Sequence, residues 1–368
     1  MRICFLAKTK AIHTERWINY FAEHGHEVTL ITSHPLRENS RIDRRVHIRR
    51  IWFPPHSIAR YGALLEIIRI IREIQPDIIH AHYVSHFGLL AIMYKKISGF
   101  SPMVLTAWGS DIFIDARGPR KLLVTHALQN ADLITCDGES LKEAMVKLGA
   151  VPQKIQVVTH GVDTRKFKPE CKNSYLLQEL SIPNLPIVIS TRQLKQLYCV
   201  ETLIKAIPLV LKEIQSVIFV ILGDGENRKY LEDLARSLDI DNKVIFRGSV
   251  PHQDLAKYLS ISDIYVSTSL SDSTAVSNLE AMACGLAPIV TDIGDNREWI
   301  SDGQNGFLIP IKDPEALAEK IILLLREKEM RKLFGTRSRT TIEERSDYYQ
   351  EMAKVEKIYS ELVARYKV

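Results

Sequence analysis

The sequence predicts an α/β chain made of two consecutive doubly wound, Rossmann-like parallel-sheet domains, and three observations predict it. Short apolar runs bounded by turn residues alternate with helical-period segments along the chain, the pattern of strands buried on both faces and joined by crossover helices. That alternation breaks once, over residues 166–186, where charges and Pro169, Pro183 and Pro186 interrupt it. The length of 368 residues suits two ordinary domains, and a composition 46% hydrophobic and 25% charged belongs to a globular chain and not to a disordered or collagen-like one.

In the first half, strands are expected at 3–6, 28–31, 77–80, 103–107, 133–136 and 155–158. The helix between the first two carries Trp17 and Phe21 one turn apart and is ended by Gly25. A second series follows at 187–190, 217–222, 243–246, 264–267, 287–291 and 307–309. From Asp347 onward, Tyr349, Met352, Val355, Tyr359 and Leu362 recur at helical spacing, so one face must be buried. The second series is complete before that helix begins, which is therefore expected to cross back onto the first domain. The expected division is 1–168 for the first domain, 169–186 for a linker, 187–345 for the second domain and 346–368 for the returning helix.

Composition excludes several classes. Cys4, Cys136, Cys171, Cys199 and Cys284 are scattered, odd in number and without CxxC spacing, which speaks against a disulfide framework and a zinc site and for a reducing, cytoplasmic setting. The opening MRICFLAKTK reads as a first strand rather than a signal peptide, and no run approaches the ~18 apolar residues of a spanning helix. The net charge of +5 is concentrated in the first half, at Arg41, Arg44, Arg45, Arg49 and Arg50, at Lys95 and Lys96, and at Arg117, Arg120 and Lys121. These clusters are either a solvated surface or a face for phosphate or anionic lipid. Residues 58–74, with Arg60, Arg69 and Arg72 among apolar neighbours, read as a core-packed amphipathic helix or as a peripheral contact with the inner membrane face. No nucleic-acid partner is expected.

The most informative segment runs from Asp272 to Glu280 and on into AMACGLAPIVT, two acids eight positions apart across a loop and a helix start. The loop SLSDSTAVS holds Ser273, Thr274, Ala275 and Val276, and its small residues let backbone approach a ligand at a helix N-terminus, an arrangement suited to a diphosphate. Glu280 falls in an apolar helix and therefore needs a polar partner. LGDG closes a strand with Gly223 and Gly225, which suits close approach of a nucleotide, but it lacks the GxGxxG turn of a nicotinamide site. In the first half, HAHYVSH places His80, His82 and His86 just past a strand, where parallel sheets bind ligands, without the carboxylate or cysteine partners of a metal site. No metal and no obligatory cofactor are expected.

Acid-x7-acid followed by AMACGLAPIV resembles the retaining group 1 glycosyltransferases of family 4, which have the GT-B fold. HTERWINYFAEHGHEVTLIT, TAWGSD, HGVDTRKFKP, FVILGDG and VIFRGSV extend the resemblance over nearly the whole chain. It implies two domains facing a cleft, with a UDP- or GDP-sugar on the second and a glycan or lipid-linked acceptor on the first. By that resemblance Glu280 binds the donor ribose, Asp272 meets hydroxyls of the transferred sugar, Arg192 and Lys195 hold the diphosphate, and Gly248 and Val250 contact the base. Asp272 stands where the family usually has Glu, and Tyr198 and Cys199 stand where Lys-Gly is common. On the acceptor side the resemblance points to His82, Trp108, Asp111, His160 and Gly161. Trp108 replaces a frequent His and His160 a frequent Asn. Trp108 either stacks on a sugar or is a core indole, and Asp111 either contacts acceptor or caps a helix. The alternatives are a nucleotide-sugar epimerase of this fold, a non-catalytic nucleotide-sugar-binding module and, least of all, an NAD oxidoreductase.

Overall fold

Strands of three to six residues rich in Ile, Val and Leu cannot leave either face in water, and the chain pairs them all in parallel under helices. The structure is a computed structural model that describes all residues except 10, 37–39, 53–59, 171–173, 273 and 367–368. It divides into two units, one of Met1–His160 with Gln350–Val368, the other of Gly161–Tyr349.

In the first unit, β1 (Arg2–Leu6), β2 (Glu27–Thr32), β3 (His47–Arg50), β4 (Ile78–His82), β5 (Met103–Thr106), β6 (Leu133–Cys136) and β7 (Ile155–Val157) form one sheet in the order β3-β2-β1-β4-β5-β6-β7. The direction of winding reverses between β1 and β4, so the ends of those two strands open the crevice where such sheets take ligands. Alternation sorts β4: Ile79 and Ala81 enter the main apolar core, while His80 and His82 face Phe5 and Trp17 on the other side. The helix Tyr348–Tyr366 closes that second face. Met352, Val355 and Tyr359 are buried, Phe21 stacks on Tyr359 at 5.1 Å, and the Tyr359 hydroxyl bonds His80 Nδ1.

The strand β3 has no counterpart among the strands expected from sequence, where Arg49 and Arg50 read as a surface cation cluster. It is an edge strand with one neighbour, so its HIRR sequence needs no apolar partner on its outer side. The helix Arg60–Ile74 buries Ala63, Leu64, Ile67, Ile70 and Ile71 in the core. Among the described residues no helix is long and apolar enough to cross a membrane.

The second unit holds β8 (Ile187–Ser190), β9 (Ile218–Leu222), β10 (Val244–Gly248), β11 (Ile264–Ser267), β12 (Ala287–Thr291) and β13 (Phe307–Ile309) in the order β10-β9-β8-β11-β12-β13. Its reversal lies between β8 and β11. Leu177 and Ile182, from the Pro-interrupted segment before β8, are buried in this unit's core, and a short helix, Ser174–Glu179, forms there.

Candidate active site

The loops that leave β8 and β11 meet over the reversal point of the second sheet, and they bring Arg192 and Asp272 together. Arg192 is buried; Nη2 pairs with the Asp272 carboxylate and Nη1 donates to Ser277 Oγ at 2.7 Å. Its planar face lies 4.3 Å from the Tyr198 ring centroid, a cation–π contact. Cys199, next along, adopts left-handed backbone with φ 44 at the position where glycine is common among the sequences the chain resembles. Lys195 is exposed and lines a cavity of about 130 Å³ with Cys199, Glu201 and Lys312.

Ser277 lies in the first turn of the helix Val276–Ala283, whose cap position is Ala275. Alanine offers no side chain to cap this helix, whose first turn, with its positive dipole end, lies beside the Arg192 guanidinium through Ser277. The helix is fixed at both ends. Asn278 donates to Asn296, which donates to the Thr291 carbonyl at the end of β12, and at the other end Arg339 donates to the Ala283 carbonyl at 2.8 Å. Thr274 is buried and accepts from the Trp299 indole. Ser273 lies outside the described residues.

Glu280, two turns on, is 4% exposed, and its Oε1 meets His252 Nε2 at 2.5 Å. His252 begins the helix after β10 and is 43% exposed at its side chain, so the pair runs from the interior to the surface. Gly223 has φ 137, and a Cβ there would fall on the Arg192 carbonyl. Its missing side chain thus lets the loop after β9 lie directly on the loop that carries Arg192, where the Leu194 N–H donates to Asp224 O at 3.0 Å. Gly248 sits against the Arg228 side chain, and Val250 packs on the apolar core.

In the first unit, loops from four strand ends assemble a cluster of rings. Trp108 lies between parallel faces of His13, at 4.7 Å, and His160, at 4.9 Å, and meets His82 edge-on at 5.4 Å. His160 is oriented by Asp137, with Nε2 3.0 Å from Oδ2 of that buried carboxylate. Burial alone lowers the His82 pKa to about 3, and burial, then the neighbouring His160 and Arg16, pushes that of His13 well below the ordinary range. Asp111 lies wholly buried under the cluster. Its two oxygens accept from the Trp108 and Val84 N–H groups at 3.0 and 2.8 Å, and burial raises its pKa to about 6. That carboxylate pins the turn that follows β4. His86 lies at the surface beside Ser85. Gly161 belongs to the second unit and packs against the Tyr348 backbone. Among the described residues no group of acidic, histidine or cysteine side chains is arranged to hold a metal ion.

The family model described as glycosyl transferases group 1 matches residues 176–341, and that described as glycosyl transferase 4-like matches residues 2–138. Together they take in most of both units. The chain belongs to the group 1 glycosyltransferases of family 4. N-acetyl-alpha-D-glucosaminyl L-malate synthase of Bacillus anthracis is 26% identical over 93% of this chain and 91% of its own length. A phosphatidylinositol N-acetylglucosaminyltransferase polypeptide of Arabidopsis thaliana is 27% identical over 72% of this chain and 58% of its own. Anabaena HepE, solved in complex with UDP, shares the fold at a TM-score of 0.86 and 17% identity, over 98% of this chain and 100% of that one.

In this glycosyltransferase, three neighbours of the expected site have no signal in the sequence. His252 is the one histidine of the second half, and no spacing connects it to Glu280. Tyr198 reads as a departure from Lys-Gly, with nothing to show that its ring lies on Arg192. Gly294 has φ 48 and stands where a Cβ would fall on the Asp272 carbonyl. The TDIGDN segment around it carries a turn signal and no more.

Proposed function

We propose that this enzyme is a retaining glycosyltransferase that moves a hexose-type sugar from a UDP- or GDP-sugar to a hydroxyl of a glycan or lipid-linked acceptor. Residues 187–345 hold the donor and residues 1–168 the acceptor. The observation that carries the reading is the Arg192 guanidinium set beside the uncapped start of the helix Val276–Ala283, over the reversal point of the second sheet. A cation beside the positive end of a helix suits a departing diphosphate, because it gains charge as the glycosidic bond breaks. Glu280, buried and polarised by His252, is suited to accept hydrogen bonds from ribose hydroxyls. Such charge-assisted bonds contribute about 1.5–3 kcal/mol each.

In the proposed reaction the bond from the anomeric carbon to the diphosphate oxygen breaks, with the electron pair leaving on the diphosphate. The acceptor hydroxyl then bonds to the same face and its proton passes to the departing phosphate. Asp272 contacts the transferred sugar; Lys195, Gly223, Gly248 and Val250 border the nucleotide; and His82, Trp108, Asp111, His160 and Gly161 shape the acceptor half. UDP in HepE and the lipid that the Arabidopsis transferase is named for support the two substrate classes.

Purified protein offered a panel of nucleotide sugars should release free diphosphate from one of them in the presence of acceptor. Glu280→Ala and Arg192→Ala should each lower kcat/KM by roughly 10²–10³-fold at unchanged melting temperature. Wild-type turnover in either variant would remove that residue from the site.

A further inference from the structure

A cavity of about 290 Å³ in the first unit takes no part in the sites described so far. It opens beside Ser85 and His86, one turn past the end of β4, and runs between the helices Leu89–Ser98 and Arg120–Asn130. Its walls are Leu89, Leu90, Ile92, Met93, Leu123 and Val124, of which Met93 and Leu123 are 39% and 52% exposed. The volume sits at the ~300 Å³ lower end of small-molecule sites, enough for part of a chain and too little for a whole lipid.

The elements beside this cavity carry further exposed apolar side chains. Ile97 and Leu122, on the two helices that wall it, are 65% and 76% exposed, and Phe113 and Ile114, at the end of the short helix Ser110–Phe113 and just past it, are 42% and 65% exposed. Exposed apolar side chains that line a cavity, as Met93 and Leu123 do here, mark a binding surface. At the mouth, Lys96 and Arg120 are exposed and pair with no carboxylate among the described residues. The one acid on the lining, Asp115, accepts from Ser85 Oγ at 2.5 Å and lies 3.8 Å from His86. The net charge presented to a ligand there is therefore positive.

We propose that this cavity takes the alkyl-type chain of an anionic lipid, with Lys96 and Arg120 on its phosphate head group. An apolar slot matches the chain, two unpaired cations match the head, and neither feature alone selects such a molecule. The proposal deepens the reading of residues 1–168 as the acceptor half, since it gives the acceptor a chemical class and a place for its apolar part. The mouth lies next to Val84, which Asp111 ties to the turn carrying Trp108.

The test is calorimetric titration of the full chain with dodecyl phosphate below its micelle concentration, beside inorganic phosphate and dodecyl maltoside. Dodecyl phosphate should bind about tenfold or more tighter than either control, because only it carries both the chain and the charge. Leu123→Asp, which sets a charge in the chain slot, and the double variant Lys96→Ala/Arg120→Ala should each weaken it about tenfold, with UDP affinity unchanged. Equal binding of the maltoside, or unchanged dodecyl phosphate affinity in the double variant, overturns the proposal. If Leu123→Asp melts early, the surface double variant decides alone. Loss of UDP binding with retained dodecyl phosphate binding would sink the donor reading and leave this one standing.

Discussion

On the proposed donor reading, Asp272 and a bound diphosphate compete for one guanidinium, and this fixes the sign of a measurable effect. In the free enzyme Arg192 is paired with Asp272, bonded to Ser277 and faced by Tyr198. Asp272→Asn removes the negative charge and keeps the shape, so Arg192 retains its other two partners. Two unit charges about 4 Å apart interact by roughly 4 kcal/mol at an effective dielectric of ~20. The side chains here are 9% and 20% exposed, so solvent screening reduces the recoverable part to about 1–2 kcal/mol. That corresponds to roughly 5–30-fold in Kd. Titration calorimetry of UDP and GDP at low salt should therefore show tighter binding of one of them to Asp272→Asn, and the difference should shrink as salt rises. Transfer from the intact nucleotide sugar should fall in the same variant, because the contact with the sugar is weakened. An unchanged or weaker diphosphate affinity, in a variant that melts with the wild type, would refute the competition.

Three further outcomes follow from particular contacts. Gly294→Ala and Gly303→Ala both place a side chain at positive φ, a cost of about 1–2 kcal/mol, but only the first drives a Cβ into the Asp272 carbonyl; denaturant titration should show it destabilised by roughly 1–3 kcal/mol more, and equal effects would discard the close approach. Tyr359→Phe leaves buried His80 without its Nδ1 partner and should lower unfolding free energy by about 1–3 kcal/mol, against no change if the hydroxyl is idle. Burial raises the Asp111 pKa from 3.8 to about 6, so the native state holds the extra proton and this group's contribution to stability falls as pH rises from about 4 to 6, by roughly 2 kcal/mol. The buried histidines oppose that trend, since their lowered pKa values cost stability as pH falls below their unfolded range. The gap in unfolding free energy between Asp111→Asn and wild type, measured at pH 4 and pH 6, isolates the Asp111 contribution; a gap independent of pH would reject it.

The contrast between β8 and β3 shows what a sequence discloses about such a fold. Ile187–Ser190 is a central strand, buried on both faces, so its residue types are forced and its bounds can be read directly. His47–Arg50 lies at an edge and is held by backbone bonds to β2, which leave side chains free to be charged and erase the signal. The same distinction governs the site. Asp272 and Glu280 are legible because they stand at a fixed spacing, and Arg192 because the loop after β8 resembles that of the family. The turn after β4 is not, because a left-handed Tyr83 and a buried carboxylate from another loop dictate it, and neither leaves a local pattern.

LGDG shows the limit of reading glycines. A glycine reports that something approaches the backbone closely, and a nucleotide is the natural candidate; at Gly223 the Arg192 carbonyl already approaches, so the close packing of two loops is by itself enough to require the glycine. The departures from the family pattern carry a related lesson. In the sequence, Asp for Glu at 272 and Tyr-Cys for Lys-Gly at 198 and 199 are separate changes. In space Asp272 and Tyr198 contact the same guanidinium, one on its edge and one on its face. A lysine at 198 would place a second cation beside Arg192, where the tyrosine ring instead offers its negative face without adding charge. The two positions therefore bear on one guanidinium, and only the departure at 198 changes the charge beside it, since Asp and Glu carry the same one. Because they share that partner, the effects of exchanging 272 and 198 on UDP affinity should be non-additive in a double-mutant cycle, and strict additivity would separate them.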